Sequence, residues 1–139
     1  MKYIQSIVYS IVLILSFWSC NKRVELSREN LIKQDLVDKF WYLETKTTGT
    51  TTQSFARQAT SYFITFSKNN NTIDSDGLQG TYSIVFINDK YQLNVIAKTI
   101  NGNSINYTNT LVLVNPTTMI QSYTTTGQAE STLLYFSAK

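Results

Sequence analysis

Residues 80–98 read GTYSIVFINDKYQLNVIAK. In a strand, side chains two apart share a face, so Tyr82, Ile84 and Phe86 lie on one side, and Leu93 and Val95 do the same after the turn. Asn88-Asp89 stands between the two runs. Both residue types tolerate positive φ, which a two-residue hairpin demands. The stretch therefore predicts an antiparallel hairpin with one apolar face.

Working outward from it, the same period of two recurs. It predicts strands at 40–46, 61–67, 71–75, 80–87, 90–98, 104–114, 117–124 and 130–137. Turn chemistry falls between them, at Lys68-Asn69-Asn70-Asn71, Ser75-Asp76-Gly77, Asn101-Gly102-Asn103 and Asn115-Pro116-Thr117. Eight short strands joined by tight turns must each bury a face and hide their edges. This predicts a mostly β fold, a small antiparallel eight-stranded up-and-down barrel or a sandwich. The inward set is Trp41, Leu43, Ile64, Phe66, Tyr82, Ile84, Phe86, Leu93, Val95, Leu111, Leu113, Leu134 and Phe136. Phe63, Val85, Val112 and Val114 on the opposite phase also need cover. Residues 45–60, rich in Thr, lack periodicity and read as a long loop with Phe55 as an inward plug.

Ahead of the strands, residues 27–40 predict one helix. Ser27 suits the N-cap, Leu26 and Leu31 suit a hydrophobic staple, and Ile32, Leu36 and Phe40 recur every four residues. Such a stripe is expected to cover an open end or flank of the sheet.

Composition narrows the chemistry. The 139-residue chain is 42% hydrophobic but only 15% charged, and it has one Cys and no His. That excludes Ser-His-Asp and Cys-His nucleophiles, imidazole or thiolate metal centres and an internal disulfide. Asp74-Ser75-Asp76-Gly77 lacks the sixth-position Gly and twelfth-position Glu of a calcium loop and reads as a capped turn. No cofactor, metal or catalytic residue is expected, and the protein reads as a non-enzyme. From Cys20 onward 11 Lys and Arg face 9 Asp and Glu, so nucleic acid is not an expected partner.

The N-terminus reads as an address. Lys2 precedes residues 7–18, IVYSIVLILSFW, an apolar run too short to span about 30 Å of hydrocarbon as a helix but of signal-peptide length. Ser19-Cys20 followed by Asn21-Lys22-Arg23 resembles the cleavage box of bacterial lipoproteins. The resemblance implies a signal peptide over 1–19, a lipid on Cys20, a tether over 20–26 and a domain over 27–139. It implies a cell-envelope location, lipid-anchored to the outer membrane on its periplasmic or surface side. Lys22 and Arg23 would then meet the lipid headgroups.

The order of elements carries a second likeness. A leading helix, Trp41, Tyr62-x-Ile64-Thr65-Phe66, Gly80-x-Tyr82, Tyr91-x-Leu93, Leu111-x-Leu113 and Tyr135-Phe136 together resemble the lipocalin-like domains of Bacteroidetes-type envelope lipoproteins. The likeness implies a barrel whose interior holds one small apolar or amphipathic ligand, with Trp41, Phe66, Tyr82, Phe86 and Phe136 as candidate lining residues. Their size favours a barrel filled by its own side chains over a roomy one. The alternative function is a structural or accessory lipoprotein subunit of an envelope complex, such as a secretion apparatus component or a toxin-neutralising protein. An enclosed cavity of about 300 Å³ or more points to a ligand. An unpaired edge strand or an exposed apolar row points to a protein partner.

Overall fold

The computed structural model describes residues 27–55 and 61–139. The signal peptide expected over 1–19, Cys20, the tether expected over 20–26 with Leu26, and residues 56–60 lie outside the described residues. Helix α1 spans Arg28–Leu36, and Ser27 caps it by accepting the Asn30 amide at 3.3 Å. It ends four residues before the predicted limit. Val37 is extended and Asp38 has φ 59°, so the chain turns there into the first strand. Leu36 is fully buried and Ile32 packs on the core, whereas Phe40 begins a strand and is half exposed. The four-residue spacing of Phe40 from Leu36 was thus coincidental.

The strands are β1 Phe40–Thr48, β2 Thr51–Ser54, β3 Phe63–Phe66, β4 Asn71–Asp74, β5 Gln79–Ile87, β6 Lys90–Lys98, β7 Ser104–Val114, β8 Thr118–Thr124 and β9 Ser131–Ala138. From β3 to β9 each strand pairs antiparallel with the next, and β9 closes on β1 through Trp41↔Ala138 to Thr48↔Thr132. β2 and β3 share one edge of β1: Phe40–Tyr42 face β3 and Thr45–Thr48 face β2. The wall is therefore an eight-stranded closed antiparallel barrel whose second stave is split. Closure removes the edges that eight open strands would leave.

The split corrects the predicted long loop over 45–60. Thr favours extended backbone, and Gly49 at φ 56° lets β1 fold tightly back into β2. Thr47 and Thr52 hydroxyls meet at 3.0 Å across that hairpin. A run of Thr carries no apolar alternation, so the sequence pattern could not register it. The central hairpin is as expected. Asn88 and Asp89 have φ of 51° and 59°, and nine residue pairs join β5 to β6 from Gln79↔Lys98 to Ile87↔Lys90.

The inward set is borne out at Trp41, Ile64, Phe66, Tyr82, Ile84, Leu93, Val95, Leu111 and Phe136, all buried. Two members are corrected. Phe86 is 58% exposed, because it lies at the last inward position before the Asn88-Asp89 turn, where β5 runs past the core; its ring meets the Tyr91 ring at 4.8 Å. Leu113 is 43% exposed, because a bulge between Leu111 and Leu113 shifts the register against β8 and reverses the phase. On the other phase, Phe63 is covered from outside by Phe40 and Tyr42, at 5.2 and 5.9 Å.

α1 closes one end of the barrel. The Trp41 indole N–H donates to the Leu36 carbonyl at 2.8 Å, and Lys39 reaches the carbonyls of Asp35 and Pro116 at 2.7 and 3.0 Å. Lys33 bonds Asn70 and Arg28 lies 6.0 Å from the Tyr91 ring. The helix thus sits against the 67–70 turn, the start of β6 and strands β5 and β7, while the segment after it reaches the 115–117 turn and the C-terminus.

Candidate ligand pocket at the open end of the barrel

The two halves of the barrel differ. Beneath the helix the interior is solid: Trp41, Phe66, Leu93, Val95, Met119 and Leu36 are each 1% exposed or less. Phe66 packs edge-on against Tyr82 at 5.0 Å, and the Tyr82 hydroxyl donates to the Ser67 carbonyl at 2.9 Å. Three of the five candidate lining residues, Trp41, Phe66 and Tyr82, are therefore the floor of the barrel and not its ligand wall. Phe86 stands outside. Only Phe136 faces the cavity.

That cavity occupies the half remote from the helix and measures about 440 Å³. Its apolar wall is Leu43, Ile64, Leu78, Leu134 and Phe136, with Phe55 turned inward from the end of β2. The large inward residues fill one half, and the expectation of a wholly filled barrel fails in the other.

Polar groups converge at defined points. Asn109 donates its Nδ2 to Gln121 Oε1 at 2.7 Å, and Gln121 Nε2 points to Met119 Sδ at 3.2 Å. Both amides are buried, and a buried amide is tolerated only when so paired. Asp74, 8% exposed, accepts the Asp76 and Leu78 amides on Oδ1, both at 2.9 Å, and the Tyr62 hydroxyl on Oδ2 at 3.1 Å. Those two amide bonds tie the turn from β4 to β5, the capped turn expected from Asp74 to Gly77. The mouth carries Lys46, Gln53 and Tyr123. Lys46 and Gln53 are cross-strand partners, and Lys46 also lies opposite Leu134. Among the described residues no carboxylate stands within ion-pair distance of Lys46.

Burial and the Asp74 charge hold the interior phenols in their neutral form. Burial first, then Asp74, pushes Tyr107 up to about 12 from 10.0. Burial, then Asp74, also raises Tyr62 strongly. On the floor, burial, then Asp38, pushes Tyr82 up to about 12. A phenol whose value is raised on folding contributes stability in full below pH 10, and that contribution is lost as pH climbs from 10 through 12. The expected result is a denaturation midpoint that falls steeply across this window. In the folded protein, part of the tyrosinate absorbance should still be missing at about pH 11. Complete ionisation there without unfolding would show these rings to be exposed.

The sequence reading missed Asn109, Gln121, Tyr107, Tyr62, Asp74 and Lys46. The signal existed in the phase. Counting back by twos from Leu111 gives Asn109 and Tyr107, and Met119 gives Gln121 and Tyr123. These are polar residues on a phase that is apolar elsewhere.

No family model, curated protein or solved structure matches the chain. Among the described residues, no group of three or more acidic, His or Cys side chains stands together to hold a metal ion, and no helix is long and apolar enough to cross a membrane.

Proposed function

We propose that this protein is a lipid-anchored envelope lipoprotein whose barrel is a non-catalytic, lipocalin-like binding module for one small amphipathic molecule. The observation that carries the ligand reading is the cavity of about 440 Å³ at the open end, whose wall joins the apolar side chains of Leu43, Phe55, Ile64, Leu78, Leu134 and Phe136 to a comparable set of polar ones. Its size falls within the ~300–1,000 Å³ of small-molecule sites. The head of the molecule is assigned by what remains free. Asp74 has both oxygens engaged, so a cation there must compete with Tyr62 and two turn amides. An anion at Lys46 displaces no ion-pair partner among the described residues. The favoured ligand is thus an acyl or aryl chain bearing a negative head at the mouth. The anchor reading rests on the N-terminal run and Cys20.

The test uses 1-anilinonaphthalene-8-sulfonate as a fluorescent probe, displaced by dodecanoate or by dodecylamine. One saturable site is expected, emptied more readily by the carboxylate. Leu134→Trp should fill the cavity and weaken the probe at least about 10-fold, and Lys46→Glu should weaken dodecanoate by about the same factor. Probe binding that Leu134→Trp leaves unchanged would place the site elsewhere. A separate observation favours the accessory-subunit reading as second choice. β2 keeps one edge unpaired among the described residues, and Ile96, Ile100 and Ile105 are exposed beside the β6–β7 turn.

A further inference from the structure

The exposed apolar side chains are distributed unevenly over the barrel. Of the ten large ones among the described residues, Leu31, Phe40, Phe86, Ile87, Val112 and Leu113 belong to the helix-capped end, each 43–58% exposed. They lie on α1, at the start of β1, at the end of β5 and at the end of β7. Charge follows the same division. Arg28, Lys33, Lys39, Lys68, Lys90 and Lys139, six of the eight Lys and Arg described, stand at this end against Glu29, Asp35, Asp38 and Asp89. The mouth end carries Lys46 and Lys98 against Asp74, Asp76 and Glu130, and Glu44 lies midway along β1. One end thus carries the exposed aromatic rings, aliphatic side chains and a small net positive charge, and the other carries exposed isoleucines, Ile96 and Ile100 among them, with a small net negative charge.

We propose that the helix-capped end is a membrane-docking surface that rests on anionic lipid headgroups, so that the pocket mouth opens away from the bilayer. Three observations select a bilayer as the occupant. Isolated aromatic and aliphatic side chains set among lysines are what an interfacial surface needs, since the rings enter the headgroup layer while the ammonium groups meet phosphate. The polarity of the described charges, net positive at this end and net negative at the other, aligns the barrel against a negative surface in that direction. The chain also enters the fold here. Ser27 caps α1 at this end, and the seven steps from Cys20 to Ser27 reach about 25 Å at most when extended. A lipid on Cys20, or an uncut apolar run before it, keeps this end within that distance of the membrane. The inference is independent of what the pocket holds.

The test is depth-dependent quenching on the full chain bound to phosphatidylcholine–phosphatidylglycerol vesicles with brominated acyl chains. Phe86→Trp and Val112→Trp report on the helix-capped end, and Ile96→Trp and Ile100→Trp on the other. All four sites are exposed, so the fold tolerates the change, and the parent chain gives the background from Trp41 and, where the leader is uncut, from Trp18. Quenching at 86 and 112 should exceed that at 96 and 100 at least about twofold, and should fall when phosphatidylglycerol is omitted. Equal quenching at the two ends, or stronger quenching at 96 and 100, overturns the proposed orientation. A full chain that stays in solution overturns both this surface and the anchor.

Discussion

Replacing Trp41 by Ala is expected to destabilise the protein by about 3–5 kcal/mol, read as a shift in the urea midpoint at constant slope. The indole is fully buried at the junction of three elements: its strand pairs β3 through Ile64 and β9 through Ala138, and its ring lies under α1. Truncation removes the ring, leaves a cavity that β1 cannot collapse without parting from two neighbours, and strips the Leu36 carbonyl of its 2.8 Å donor. Lys39 Nζ, 5.6 Å from the ring centre, loses its aromatic face as well. Trp41→Phe keeps most of the apolar contact and forfeits the indole N–H, so it should cost about 1–3 kcal/mol, the penalty of an unpaired buried acceptor. A loss below about 1 kcal/mol for Trp41→Ala would mean that the residue is exposed and the strand phase inverted.

Gly80→Val is the second substitution expected to have a large effect, and its cause lies in backbone approach. A Cβ at Gly80 would fall 2.6 Å from the Ala97 Cβ, and closer still to the Ile96 carbonyl oxygen and the Ala97 Cα. Backbone cannot rotate aside as a side chain can. The new atom must therefore push β5 from β6 at the Gly80↔Ala97 pair, close to the end of their nine-pair ladder. Strain of this kind costs about 1–3 kcal/mol for modest overpacking, and the collision with backbone places Gly80→Val at or above the upper figure. Gly80→Ala should show the smaller part of the same loss. Calorimetric melting of the two variants checks the order, and a Gly80→Val protein as stable as its parent would show that β5 and β6 separate freely there.

How much of this was legible in the sequence differs between fold and site. The barrel followed from alternation, because residues such as Tyr82, Leu93 and Val95 are apolar wherever the wall turns inward. The helix start was legible in Ser27, and its end was not, since Asp38 at φ 59° breaks a spacing that Phe40 continued. The cavity was hidden for the opposite reason. Alternation ranks side chains by apolarity and assigns Asn109, Gln121 and Asp74 to solvent, yet each is buried because a specific partner satisfies it. Pairing of that kind depends on which strands become neighbours around the closed wall. The bulge at Val112 likewise changes the facing of Leu113 with no residue type to announce it.

Native mass spectrometry of the protein isolated gently from the cells that make it tests the central claim most directly. The account predicts one small amphipathic molecule per chain, acidic in character, that is absent from Leu134→Trp and diminished in Lys46→Glu. A chain that carries no such molecule and also fails to take up dodecanoate, or an adduct that survives when Leu134→Trp fills the cavity, would contradict it.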